Sequence, residues 1–225
     1  MIRFSATFQS TALFSLKDSA ATNSGAKSLL LPTPYAIKMA MLNAAITFGN
    51  ELDALSEKQS ARFNFVRDAK ISYVIPEGIS FCVNNTFIKI LKPARDEPGY
   101  QRTVSFREYV NITRPIDIVV EVDNAEVAVF WKLYLRKISH FGKRGCYFQF
   151  LRYNESAQTS NVMPFAVNSG AVKPGILQSF DDFNEAATFD MVNNFSTSKA
   201  KRRSVVYLIP VRVRKSSKSF THYQM

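Results

Sequence analysis

His140, Lys143, Arg144 and Tyr147 fall within one short stretch, "ISHFGKRGCYFQF" at 138–150. In that spacing an imidazole can accept a proton while an ammonium stabilises a phosphorane, so the residue types suit a metal-independent ribonuclease. The same stretch also suits a phosphate holder. Gly142 and Gly145 would let backbone amides approach an anion, and Lys143 and Arg144 add charge and forked hydrogen bonds. It is not a P-loop, because the longer glycine spacing and the Lys-Ser/Thr ending are missing. A purely structural reading also exists: GKRG joins a helix to a strand, with His140 in the last helical turn, where a cation is favoured. The negative end of such a helix repels anions, so the side chains would do most of any binding. Nothing supplies a nucleophile, a base and an orienting group together, and His222 lies in the tail.

A second basic group surrounds "KPARDEPGYQR": Lys92, Arg95, Arg102 and Arg107. A third is "KAKRR" at 199–203. Either is also an ordinary solvated turn or charge run. The whole chain sets 29 Lys and Arg against 18 acidic residues, for a formal charge of +11, which attracts polyanions and makes nucleic acid the first partner to consider. Cys82 and Cys146 are too few for a disulfide framework, and no CxxC or HExxH spacing implies a metal, so no cofactor is expected and a reducing cytoplasm fits. The start "MIRFSATFQS" does not read as a signal peptide, so no secretion is expected. "LLLPTPYAIKMAMLNAAI" is broken by Pro32, Pro34 and Lys38 and falls short of a membrane span, so a soluble protein is expected.

The elements that must position these groups are legible in the hydrophobic period. Ile2, Phe4, Ala6 and Phe8 alternate with polar residues as in a half-buried strand. Thr33 and Pro34 open a helix that carries Ile37, Met41, Ala44, Ala45 and Phe48 on one side. Ser56 and Gln59 have capping-box spacing for a second helical piece in "SEKQSARFNFVRDA". "KISYVI", "ISFCV" and "TFIKIL" read as strand segments broken at Pro76-Glu77-Gly78, and "TVSFREYV" closes a long hairpin with a solvated tip. "IDIVVEV" is a strand. Val127, Phe130, Trp131, Tyr134, Leu135 and Ile138 form the core stripe of a helix over 124–140, with Asn124 as N-cap and Gly142 as its stop. "CYFQFL" resumes as a strand. Residues 154–197 read as a long irregular excursion with a short helix near "FDDFNEAATF", before a basic final strand in "KAKRRSVVYLIPVRVRK". The N-terminal two thirds thus gives the βαββαβ order of a ferredoxin-like unit, an α+β class shared by RNA-recognition modules and much else.

Three segments in order, "SLLLPTPYAIKMAMLNAAI", "TVSFREYV" and "ISHFGKRGCYFQF", resemble the Cas-five family, with "FDDFNEAATFDMVN" and the final strand similar to its C-terminal part. These are RAMP-superfamily subunits of type I CRISPR Cascade complexes that cap the 5′ handle of the guide RNA. The resemblance implies a ferredoxin-like core over 1–152, a hairpin thumb at about 86–110, and a C-terminal extension over 153–225 packed on the core. It implies crRNA, a backbone subunit and the large subunit as partners, with target DNA met through the complex and its sequence read by guide pairing. The expected RNA-binding residues are Lys27, Lys92, Arg95, Arg102, Arg107, Lys143 and Arg144, with no catalytic residue and no metal. Some relatives cleave precursor guide RNA, but the residues for this are not identifiable, so a separate processing enzyme is expected. The alternatives are that endoribonuclease activity itself, or a basic protein–protein scaffold.

Overall fold

The alternation at the N-terminus builds the centre of the molecule. The computed structural model describes residues 1–19, 27–95, 98–156, 158–165, 174–193, 196–197 and 202–225. In chain order it has β1 (Ile2–Ser10), β2 (Leu16–Lys17), β3 (Ser28–Leu29), α1 (Pro34–Gly49), α2 (Leu52–Ser56), α3 (Ala61–Arg67) and β4 (Lys70–Val74). There follow β5 (Ser80–Pro93), β6 (Tyr100–Ile112), β7 (Ile116–Val122), α4 (Ala125–Leu135) and β8 (Phe148–Asn154). The C-terminal part holds β9 (Met163–Pro164), β10 (Ile176–Asp182), α5 (Phe189–Val192), β11 (Arg203–Ile209), β12 (Arg212–Ser216) and β13 (Phe220–Gln224).

β1 is a central strand of an antiparallel sheet with order β4-β7-β1-β8. Its even residues Phe4, Ala6 and Phe8 are fully buried. Phe4 meets α4, where the Lys132 ammonium lies over its ring. Ser5 and Thr7, on the opposite face, are also occluded but satisfied: Asn154 Nδ2 donates to both hydroxyls at 3.4 Å, and Thr7 donates to Asp117. With α1 before β4 and α4 between β7 and β8, the strand–helix–strand–strand–helix–strand order read from the sequence is present within this one sheet. The fold is mixed α and β, with antiparallel sheets throughout.

The caps explain where the helices begin. Thr33 Oγ1 accepts from Ala36 N at 3.1 Å with Pro34 at the first helical position, and Asn124 Oδ1 accepts from Val127 N at 3.0 Å. The second helical piece differs from expectation. It is split into α2 and α3, and the cap is Ser60, whose Oγ accepts from Phe63 N and donates to Ala54 O, not Ser56. α4 is also shorter than the expected 124–140. It ends at Leu135, where Arg136 and the turn Lys137 N to Tyr134 O redirect the chain. Ile138 and Phe141 remain buried beyond that end, so the apolar period outlives the helix.

β5 and β6 form a long hairpin in unbroken register from Phe81–Ile112 out to Pro93–Tyr100, so the two segments read as "ISFCV" and "TFIKIL" are one strand. The C-terminal β13 pairs with its base, giving the order β12-β13-β5-β6. The excursion is more regular than its composition suggests: β10, β11 and β9 form a third sheet. The short helix expected near "FDDFNEAATF" is present at its end, Phe189–Val192, while the opening Phe180–Asp182 belong to β10. Most of "KAKRR" lies outside the described residues, and only Arg202 and Arg203 are seen. Among the described residues, no helix is long and apolar enough to cross a membrane.

The third sheet is fastened to α1 through a buried ammonium. Lys38, 1% exposed, pairs with Asp182 at 2.7 Å and donates to the Arg67 carbonyl at 2.7 Å. Asp182→Asn removes the counterion and strands the ammonium, so we expect a destabilisation of about 2–3 kcal/mol in urea denaturation. That is below the 3–5 kcal/mol typical of a broken, fully buried pair, because the Asp182 side chain is 27% exposed. Burial lowers the Lys38 pKa from 10.5, against the opposing pull of Asp182. Between the lowered value and 10.5 the unfolded chain binds more protons, so this group's contribution to stability rises with pH in that window. A destabilisation of under about 0.5 kcal/mol on Asp182→Asn would mean that the pair does not fasten the sheet.

Candidate nucleic-acid interface

The GKRG segment is the tip of a small hairpin-like loop, not a helix stop. His140 and Tyr147 form an antiparallel bridge, Phe141 N donates to Cys146 O at 3.2 Å, and Cys146 N donates to Lys143 O at 3.3 Å. Gly142 at φ +73° and Gly145 at φ +99° supply the left-handed corners, and a Cβ on Gly142 would also stand 3.1 Å from Leu16 Cδ2. The loop is held on both flanks. Phe141 is fully buried against Phe8 and Phe148, with ring centroids 5.1 and 5.2 Å away, and Cys146 is buried with its thiol 3.5 Å from the Ser15 carbonyl. His140 is therefore not in a last helical turn. The repulsion expected from a helix C-terminus does not apply either, because α4 ends well before the glycines.

The exposed tip borders a cleft of about 550 Å³ whose other walls are β2, the first turn of α1, β10 and the base of β6. Among the described residues four cations line it, Lys17, Arg107, Lys143 and Arg202, against one carboxylate, Asp181. Asp181 is engaged by Arg202 at 3.1 Å, and the Arg202 guanidinium stacks 4.0 Å over the Tyr35 ring. Arg107, opposite Thr86 in the hairpin, is half-buried, and among the described residues its Nε is buried with no acceptor. A buried charged donor left unmet is costly unless a ligand meets it. Partial burial lowers the Lys143 pKa from 10.5, and the nearby Arg107 charge lowers it further. An anion in the cleft relieves that repulsion. The capped start of α1, with no acidic residue in its first turn, adds a partial positive charge from Thr33 to Ala36.

A second groove, about 390 Å³, lies on the other side of the tip and shares Ala36, Met39 and Gly142 with the first. It is lined by Ala40, Ile46, Val192, His140 and Arg144, among others. Lys143 and His140 thus face different clefts, and the exposed Tyr147 lines neither. Of the proposed ribonuclease set, His140 and Tyr147 are bridge partners with ring centroids 6.4 Å apart, while Lys143 lines the other cleft. No group of three or more His, Cys, Asp or Glu could hold a metal among the described residues.

Of the residues singled out from the sequence, the fold gathers Arg107 and Lys143 into the cleft and puts Arg144 in the neighbouring groove. Lys92 and Arg95 stay on the exposed outer hairpin, Lys92 on the same face as Arg107 and Arg102 on the other. Lys27 lies just before Ser28, which pairs with Lys17, and does not line the cleft. Lys17, Tyr35 and Asp181 carried no sequence signal of their own, and Arg202 only that of an ambiguous basic run.

Fold and cleft define a basic mixed α/β protein with a cationic groove built between its sheets. No family model matches the chain. It is 27% identical over 203 residues to the CRISPR-associated protein Cas5 of Archaeoglobus fulgidus, covering 86% of each chain. That relative bears the name of the family which the sequence segments resemble. Among solved structures it is similar to a CRISPR protein from Archaeoglobus fulgidus (TM-score 0.45, 13% identity, covering 100% of this chain and 92% of that one). It is also similar to a chain of the type III-B Cmr-beta complex bound to cognate target RNA and AMPPnP (TM-score 0.44, 10% identity, covering 97% and 86%).

Proposed function

We propose that this chain is a non-catalytic, cytoplasmic RNA-binding subunit of a type I CRISPR Cascade complex. In this reading a ferredoxin-like core with a hairpin thumb holds the 5′ handle of the guide and caps the backbone filament. The backbone and large subunits are its protein partners, and target DNA reaches it through guide pairing. The carrying observation is the cleft itself: the buried, unmet Nε of Arg107 converges with Lys17, Lys143 and Arg202. That arrangement suits phosphodiester oxygens, which accept several charged donors at once and need no base-specific contact. That His140 and Lys143 line different hollows favours holding RNA over cutting it.

The test is fluorescence anisotropy with single-stranded RNA across a salt series. We expect log K to fall linearly with log salt, and Arg107→Gln with Lys143→Ala to flatten the slope by about 0.7 for each phosphate no longer neutralised. Equal denaturation midpoints would show that the fold is intact. No binding, or a slope unchanged by both substitutions, would overturn the assignment of the cleft.

A further inference from the structure

We propose that the groove beside α1 takes a nucleobase of the same RNA strand, the GKRG tip splaying the strand so that its backbone lies in the basic cleft and one base enters the groove. This rests on the RNA-binding reading of the cleft. The two hollows adjoin: both touch Ala36, Met39 and Gly142, and successive residues of the tip serve opposite sides, Lys143 the cleft and Arg144 the groove. Gly142 adds no side chain of its own where the hollows meet, and its left-handed φ of +73° disfavours other residues there.

The chemistry of the two hollows differs in the way a nucleotide does. Among the described residues the cleft holds four Lys and Arg side chains, the groove Arg144 alone. Met39, Ala40, Ile46 and Val192 give the groove an aliphatic and thioether wall suited to the face of a heterocycle, while Asn43, His140 and Arg144 add polar groups for its edge. His140 Nδ1 is within 3.3 Å of Ser139 Oγ, which leaves Nε2 as the ring's remaining polar atom. At about 390 Å³ the groove lies within the range of small-ligand sites and is too weakly charged to compete for a second phosphate. Arg144, the only guanidinium there among the described residues, pairs best with two adjacent acceptors, and guanine offers O6 and N7. The base we assign to the groove is guanine.

The experiment compares three single-stranded RNAs on the full-length protein: oligouridine, the same strand with one guanosine, and the same strand with an abasic site in its place. We expect the guanosine strand to bind about tenfold tighter than the abasic one, as burial of one base face against that apolar wall provides. Ala40→Trp, which fills the groove, should remove that advantage. Arg144→Ala, on an exposed loop that does not support the core, should remove the preference for guanosine over uridine. If the guanosine strand gains nothing, or keeps its advantage in both variants, the groove is not a base site although the cleft still binds RNA. If no strand binds the wild-type protein, the RNA-binding reading falls with it.

Discussion

Replacing the chain's single tryptophan, Trp131→Ala, should cost about 3–5 kcal/mol in urea denaturation. Trp131 is fully buried on α4, and its Nε1 donates to the Phe65 carbonyl of α3 at 2.8 Å. Alanine would leave both a cavity and an unmet carbonyl where the two helices meet. Phe65 and Phe130 pack edge-to-face beside the site at 5.7 Å, and this aromatic pair keeps the surroundings from collapsing freely into the space. Because the residue faces the core, its fluorescence should respond neither to soluble quenchers nor to added RNA. A cost below about 1 kcal/mol, or strong quenching by RNA, would mean that this face of α4 is not the core joint.

Removing the outer hairpin should abolish assembly while leaving the subunit folded. Its register dictates how to cut it. Replacing Ile88 through Ser105 by Asn-Gly keeps Phe87 opposite Phe106, whereas excising Lys92 through Arg102 would shift the pairing by one residue and turn every side chain of one strand to the other face. The excised segment includes Leu91, Tyr100 and Val104, exposed at 66%, 75% and 60% on one face. They share that face with Lys89 and Arg102, and such exposed apolar groups on an extended hairpin call for a covering partner, which in the proposed complex is the backbone subunit. Arg107 is retained, so salt-dependent RNA binding by the cleft should survive. We expect the truncated protein to fail to co-purify with its backbone subunit and guide RNA. A normal RNA-containing complex on size-exclusion chromatography would remove the hairpin from assembly.

The elements that obey one clear period were legible in the sequence: β1 with its alternating phenylalanines, α1 with Thr33-Pro34, and α4 with Asn124 and its stripe. Misreadings arose where tertiary contacts overrode local signals. Ile138 and Phe141 stay buried after α4 has ended, so the apolar spacing overstated the helix. Ser60 outcompeted Ser56 as a cap because its hydroxyl also satisfies the Ala54 carbonyl, an interaction no spacing rule shows. Phe180 reads as helical beside acidic neighbours, yet it stacks on Tyr207 at 4.9 Å across the β10–β11 pair. Of the site, GKRG and Arg107 were visible as basic residues near glycines or a hairpin. Their convergence with Lys17 and Arg202 was not, because four distant segments meet only after the C-terminal sheet docks on α1. Arg102, equally basic in sequence, pairs with Leu91 on the face opposite Lys92 and Arg107.

Ultraviolet cross-linking of the RNA-loaded protein, followed by peptide mapping, asks most directly whether the strand lies in the cleft. Adducts are expected on peptides that carry Tyr35 and the GKRG tip, which border the cleft from α1 and from the loop before β8. Adducts confined to the exposed face of α4, with the Tyr35 and GKRG peptides unmodified, would show that RNA binds elsewhere.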